Sequence, residues 1–380
     1  MLYATPQLTS DDRRVLDEIT TMSELLQPMV RPTRTWSGSL RRELFARNIQ
    51  ASIMIEGYQT SVADVESMIA GGEPLDSTKA NLREAEGYRQ ALSWVLRLAG
   101  AQDFAYSDGL LNGMHYMIAG HHPRTESGWW RTTGVWVGGG ARGQIAYEAP
   151  DADRVPGLIS ELIDWLNGGD LDSPTLVRAA MAHLNLVSIH PWRDGNGRMS
   201  RALHTLLIAR DGLLAPEFSS IEEWIGYHPR DYYDALRTGG RVWSPEREAG
   251  PWVRYVLAAH HQQLQLVRNR VKTQSDLWFA LEEAIRRQGW DERFAYALFP
   301  TIRDGELEGE VTGLVHRAAY QADAGISEQA AQADLRTLVR ASWLDGVGAG
   351  RGRYYKAGPQ LPAELKSLVK PVFVLDPYEG

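Results

Sequence analysis

Apolar residues recur every three to four positions along most of this 380-residue chain, so helices are the predicted element nearly throughout. The clearest is over 40–57, where Leu40, Leu44, Ile49 and Ile53 form one stripe that stops at Gly57, a residue suited to the left-handed position after a helix end. Further helices are expected over 81–98, 108–118, 154–167 and 175–187, with polar turns such as NGGD between them. The period changes in GVWVGGGARGQIAYEAP, residues 134–150, where short alternating runs flank a Gly-rich turn; this predicts a β-hairpin, read as a flap. HHQQLQLVRNRVK then reads as a connecting helix, and a second unit is expected from about Ser275. There Ser327 can cap a helix with Glu328 in its first turn and Ala331, Leu335, Leu338 and Val339 on its apolar face, before a Gly-rich turn and the strand GRGRYYK. Helix, turn and strand in that order resemble half of a winged helix-turn-helix, with a packing or dimerisation domain as the alternative. The expected fold is mainly α, a helical bundle with a hairpin flap followed by a small winged-helix-like domain.

Composition narrows the class. The chain is 43% hydrophobic and 23% charged, enough for a large core and two or three domains. It has no cysteine, which removes disulfides, thiolate metal sites and thiol nucleophiles and favours a reducing, cytoplasmic setting. The start, MLYATPQLTSDDRR, lacks a signal-peptide pattern, and no apolar run is long enough for a bilayer, so no membrane association is expected. The net charge of -8 argues against a generally basic surface. Arg336, Arg340, Arg351, Arg353 and Lys356 leave one local nucleic-acid face open in the C-terminal unit, diluted by Glu328, Asp334 and Asp345.

The chemistry is concentrated in SIHPWRDGNGRMSRAL, residues 188–203. Pro191 stops the preceding helix, which puts His190 on a loop. The next helix opens at DGNGR, where unpartnered main-chain amides and the small residues Gly195 and Gly197 make an anion cradle. Arg198 and Arg201 project from one side of its first turn, an arrangement suited to a di- or triphosphate. Asp194 beside such a cradle would repel phosphate unless a hard cation such as Mg2+ bridged the two. His190 is the loop's one base with a pKa near neutrality, suited to taking a proton from an attacking hydroxyl.

HPWRDGNGRMSR, residues 190–201, resembles the signature of the Fic family, His-x-Phe-x-Asp/Glu-Gly-Asn-Gly-Arg-x-x-Arg, with Trp192 in place of Phe. The resemblance spans roughly the first two thirds of the chain. It implies a helical bundle whose hairpin aligns a target segment, and transfer of AMP from ATP to a Ser, Thr or Tyr hydroxyl of a protein, the enzyme itself included. It further implies His190 as general base, Asp194 as magnesium ligand, Gly195, Asn196 and Gly197 on the phosphates, and Arg198 and Arg201 on the outer ones. Trp192 would be the buried anchor of the loop. SIMIEG, residues 52–57, resembles the family's inhibitory motif, Ser/Thr-x-x-x-Glu-Gly/Asn, and marks Ser52, Glu56 and Gly57. Independently, Glu56 falls in the last turn of its helix, where the macrodipole disfavours a carboxylate and a nearby cation would be welcome. If that cation is Arg201, ATP would bind unproductively.

Trp224, Tyr232 and Tyr233 are candidates for the adenine pocket, although core packing is the commoner role of such residues. Gln144, Ile145 and Tyr147 on the flap would meet the target mostly by main-chain pairing. The pairs His121/His122 and His260/His261 receive no ligand role, because adjacent helical residues point apart. The expected division is an N-terminal helical region 1–105, a catalytic core 106–245, a connecting helix 246–274, a winged-helix-like domain 275–358 and a tail 359–380. Removal of AMP by the same fold and a nucleotide-responsive DNA-binding regulator stand as alternatives. A homodimer, and DNA or protein binding by the C-terminal domain, stay open.

Overall fold

The computed structural model describes residues 1–30, 35–122, 125–139, 144–212, 215–237, 240–302, 313–369 and 372–379. Its N-terminal helices are α1 (Ser10–Leu26), α2 (Thr35–Ile55), α3 (Val62–Ile69), α4 (Lys79–Ala99) and α5 (Asp108–Ala119). A two-stranded hairpin follows, β1 (Trp136–Gly139) and β2 (Gln144–Glu148), then α6 (Val155–Gly168), α7 (Thr175–Ile189) and α8 (Asn196–Asp211). Short helices α9 (Pro216–Ser219), α10 (Glu222–Tyr227) and α11 (Pro229–Arg237) lead to the long α12 (Gly250–Arg287). The C-terminal elements are α13 (Ala295–Leu298), β3 (Val315–His316), α14 (Arg317–Ala324), α15 (Glu328–Arg340), β4 (Leu344–Val347), β5 (Tyr354–Ala357) and α16 (Ala363–Lys366).

The core explains why α7 and α8 are central. Both are buried almost all round, with Ala179, Ala182, Leu186, Met199, Ala202, Leu203 and Leu206 fully enclosed, and α8 buries Asn196, Arg198, Ser200, Arg201 and His204 along with them. They pack against α2, α4, α5 and α6 through one apolar cluster, while α1, α2, α7, α12 and the C-terminal elements share a second. Helix α2 enters both clusters, so its position relative to α8 is fixed by packing on two sides.

The hairpin forms where the alternating pattern predicts it. Trp136 pairs with Glu148 and Val137 with Tyr147; a bulge then resets the register so that Gly138 faces Ile145 and Gly139 faces Gln144. Its base is fastened to the bundle by the Glu148 N–H, which donates to the Arg241 carbonyl at 2.8 Å. Its turn, 140–143, lies outside the described residues.

At the C-terminal end, Ser327 caps α15 as expected, its Oγ accepting from the Ala330 N–H at 3.2 Å. Strands β3, β5 and β4 form a three-stranded antiparallel sheet in that order. Two readings change. Helix α12 runs through the expected boundary at 274 and continues to Arg287, because Leu277, Trp278, Leu281 and Ile285 extend its apolar stripe. Asp334 does not dilute the basic surface: it is buried, bound by the Arg293 guanidinium and the Tyr320 hydroxyl. The sheet also docks on the N-terminal region, where the Tyr354 hydroxyl donates to Asp64 Oδ1 at 2.8 Å.

Candidate active site

The loop between α7 and α8 is built to hold one histidine away from regular structure. His190 takes a left-handed conformation (φ 52°, ψ 58°), uncommon for a residue with a Cβ, and Pro191 bars a further helical turn. Trp192 plugs into the core, fully buried, its Nε1 donating to Asn112 Oδ1 at 3.0 Å and its ring stacked on His115 with centroids 4.4 Å apart. Asn196 closes the loop by pairing its side-chain amide with the Trp192 main chain, at 3.0 and 2.9 Å. Its side chain is thus spent inside the loop, leaving its main-chain N–H to face an anion. Gly195 (φ 78°) turns the chain into α8, the conformation for which glycine carries no steric cost.

Two further residues, not marked by the sequence pattern, brace this loop. Arg131, buried, donates to the carbonyls of His190 (2.7 Å) and Thr133 (3.0 Å). Its main-chain N–H donates to the Pro191 carbonyl at 2.9 Å. His115 Nδ1 accepts from the Gly128 N–H at 2.9 Å, so its Nε2 carries the proton donated to the Asp194 carbonyl at 2.9 Å. Burial pushes His115 down to about 4, consistent with that neutral tautomer.

The same logic fixes the state of His190. Its Nδ1 lies 3.1 Å from the Val187 carbonyl, which can only accept, so Nδ1 carries the proton and Nε2 keeps its lone pair. Burial lowers its pKa from 6.5 to about 4, leaving a neutral base at physiological pH. Asp194 is partly exposed, with Oδ1 accepting from the Gly195 N–H at 2.7 Å and Oδ2 3.6 Å from the Arg198 guanidinium. One partly exposed carboxylate at the mouth of an anion cradle fits Mg2+, which binds through one or two carboxylates together with substrate phosphates.

The two arginines are both held. Arg198 is buried and paired with Glu84 of α4, a partner the sequence reading did not identify. Arg201, also buried, donates Nε to Ser52 Oγ at 2.9 Å and Nη2 to the Ser52 carbonyl at 2.9 Å and to Glu56 Oε1 at 2.8 Å. Its Nη1 is buried without a hydrogen-bond partner, an unmet donor on a fixed cation. The end of α2 creates this geometry. The Tyr58 N–H bonds to the Ile53 carbonyl and the Gly57 N–H to the Met54 carbonyl, a Schellman closure with Gly57 at φ 89° and Glu56 as the capping residue. Glu56 therefore sits on the negative end of the helix dipole, and Arg201 offsets both charges. Gly197 leaves room for this pair: a Cβ there would lie 2.5 Å from Glu56 Oε1.

A cavity of about 350 Å³ joins these parts; its wall includes Glu56, Tyr147, His190, Gly197, Arg201, Tyr232 and Tyr233. Tyr232 is buried with its hydroxyl 2.9 Å from His183 Nε2, and the Tyr233 hydroxyl donates to the Ile55 carbonyl at 3.2 Å. Trp224 is placed otherwise, stacked on His228 with centroids 3.9 Å apart. Tyr147 turns inward, its hydroxyl donating to the Ser188 carbonyl at 2.8 Å, and so anchors the flap to α7. Gln144 and Ile145 pair with Gly139 and Gly138 along the hairpin. The reading of the histidine pairs divides. On α12, His260 meets His204 while His261 meets Glu18, pointing apart as expected. His121 and His122 lie beyond the end of α5, off the helix, and both reach Glu84. The expectation that they diverge is corrected.

A neutral histidine, the start of α8 at Gly197 and an arginine held by a carboxylate thus line one cavity on a mainly helical scaffold, with the Asp194 carboxylate on the same loop. Residues 107–208, which include the His190–Arg201 loop and helix start, match the Fic/DOC family. Among curated relatives, it is 31% identical over 228 residues to "Protein adenylyltransferase Fic" of Culex quinquefasciatus, covering 59% of this chain and 42% of that protein. It is 26% identical over 276 residues to "Protein adenylyltransferase fic-1" of Caenorhabditis elegans, covering 72% of this chain and 50% of that protein. The chain thus spans about half the length of these relatives or less. In structure it resembles a Fic family protein from Desulfovibrio desulfuricans G20, with a TM-score of 0.56 at 22% identity over 94% of this chain and 98% of that one. It also resembles C. elegans Fic-1, with a TM-score of 0.56 at 24% identity over 69% of this chain and 73% of that one. These likenesses establish the Fic fold.

Proposed function

We propose that the protein is an adenylyltransferase that moves AMP from ATP to a hydroxyl of a protein, itself included, and that Glu56 restrains it. The observation that carries this reading is the hold of Glu56 on Arg201 at 2.8 Å within the cavity that His190 lines. In the forward reaction the acceptor oxygen attacks the α-phosphorus as its proton passes to His190 Nε2. The bond from that phosphorus to the bridging oxygen breaks, and pyrophosphate leaves. The main-chain amides from Gly195 to Gly197 and the Arg198 and Arg201 guanidiniums hold the phosphates. Asp194 would hold Mg2+, which when bound supplies charge neutralisation at the phosphate oxygens.

With Glu56 on Arg201, the outermost phosphate loses its cation and ATP sits in a pose that does not present the α-phosphorus. Since Glu56 shares the cavity with His190, the same side chain could instead orient a water for removal of AMP, and that is the second reading. Incubating wild type and Glu56→Gly with labelled ATP, Mg2+ and lysate, beside an assay for AMP release from a modified protein, separates the two. A gain of labelling in Glu56→Gly supports restraint; a loss of AMP release without any gain supports removal.

We read the unit expected over 275–358, with β3, β5 and β4 as its sheet, as a winged-helix-like partner-binding module, DNA or protein, and the chain as cytoplasmic. Among the described residues no helix is long and apolar enough to cross a membrane.

A further inference from the structure

Outside the cavity, three side chains with metal-ligand chemistry meet at one point. Glu84 on α4 is buried, whereas His121 and His122, just past the end of α5, keep part of their side chains open to solvent. The turn that carries them is fixed: the His122 N–H donates to the Ala119 carbonyl at 3.0 Å, and the His122 carbonyl accepts from Thr125 Oγ1 at 2.9 Å. Freed from helical geometry, the adjacent imidazoles direct Nε2 to the same oxygen, Glu84 Oε1, at 2.8 Å for His121 and 2.5 Å for His122. The three ligand atoms lie within 4.8 Å of one another.

We propose that Glu84, His121 and His122 form a binding site for a divalent transition-metal ion of the zinc class, separate from the magnesium position at Asp194. Two imidazole nitrogens and one carboxylate oxygen suit Zn2+, Co2+ or Ni2+, whereas Mg2+ and Ca2+ take oxygen ligands. Tetrahedral Zn2+ with ligands at about 2.0–2.1 Å separates its donors by roughly 3.3 Å, so opening the Glu84 Oε1 contacts by about half an ångström at His121 and about 0.8 Å at His122 admits the ion. A fourth position faces the open side, where water can complete the shell. Hydrogen bonding alone gives a weaker account of the cluster. Glu84 is already neutralised by Arg198 through its other oxygen, and two further donors on one carboxylate add little to that pairing. The ion would tie the end of α5 to α4. That is also the segment from which His115 and Gly128 support the catalytic loop.

The test uses the full chain freed of any affinity tag and stripped with a chelator. Zn2+ is titrated against a chromophoric competitor, and Co2+ is titrated in parallel while its visible absorption is followed. Wild type is expected to take up one equivalent, to give the intense Co2+ band of a four-coordinate site, and to melt a few degrees (~2–5 °C) higher with Zn2+. His121→Ala/His122→Ala should lose the equivalent, the band and the shift. Asp194→Ala should keep all three. The single variants His121→Gln and His122→Gln, with their melting curves, show whether loss of binding is loss of fold. Wild type binding no more Zn2+ than the double variant overturns the proposal, as does loss of the equivalent in Asp194→Ala with retention in the double variant. None of these readouts depends on nucleotide transfer.

Discussion

Replacing Glu56 by glycine is predicted to raise AMP transfer by roughly ten- to a hundred-fold. The carboxylate occupies Arg201 Nη2 at 2.8 Å, a charge-assisted bond to a buried cation. Such bonds contribute about 1.5–3 kcal/mol, and each 1.4 kcal/mol is a factor of ten. That range sets the expected gain, because phosphate and carboxylate compete for one guanidinium. Removing Glu56 leaves the Ser52 contacts at 2.9 Å, so Arg201 stays aimed at the cavity. It also removes a negative charge from the helix C-terminus, which offsets the glycine cost of about 1 kcal/mol or less. The assay is the initial rate of labelled AMP incorporation at saturating ATP and Mg2+ for wild type, Glu56→Gly, Arg201→Ala and the double variant. Arg201→Ala should cancel the gain. Equal rates for wild type and Glu56→Gly, or a gain that survives loss of Arg201, would refute the competition.

His190→Ala should lower transfer by about a hundred- to ten-thousand-fold while ATP binding, followed by calorimetry, stays near wild type. Because burial holds His190 down at about 4, the base is neutral at pH 6–8; activity of Glu56→Gly should be level there and fall only as pH drops through roughly 4–5. An acid limb centred near 6.5 would show an unshifted histidine. Asp194→Ala should lose activity that excess Mg2+ does not restore, and full rescue in a magnesium titration would contradict its role as ligand. Arg131→Ala should destabilise the fold by about 2–4 kcal/mol in urea melts, since it strips the donor from several loop carbonyls, and should lower kcat more than it alters KM for ATP.

The site was legible where one local segment carries it and illegible where the fold assembles it. Residues 190–201 are contiguous, and Pro191, Gly195 and Gly197 constrain the backbone so strongly that the loop and helix start follow from the sequence. That Glu56 wants a cation is readable from its place at a helix end, whereas Arg201 as that cation is suggested only by the resemblance of 52–57 to an inhibitory motif. Glu84, Arg131 and His115 were not: each lies many residues away in an ordinary helical or loop context, and only tertiary packing brings it to the loop. Trp224 stacks on His228, since aromatic residues at the right distance from a motif pack on neighbours as readily as on a ligand. For His121 and His122 the divergence expected of adjacent helical residues does not apply, because they lie beyond the helix, which is predicted to end at 118 and ends at Ala119. The 274 boundary failed, since α12 continues its apolar stripe into the next unit.

The central claim, AMP transfer with His190 as base and Glu56 as restraint, is tested most directly by intact-protein mass spectrometry. Wild type, Glu56→Gly and Glu56→Gly/His190→Ala are incubated with ATP and Mg2+ and weighed. The predicted result is an added adenylyl group on Glu56→Gly, little on wild type, and none on the double variant. Equal adducts on Glu56→Gly and the double variant would contradict the account, as would Glu56→Gly left unmodified, and without activity on any lysate protein, while it binds ATP.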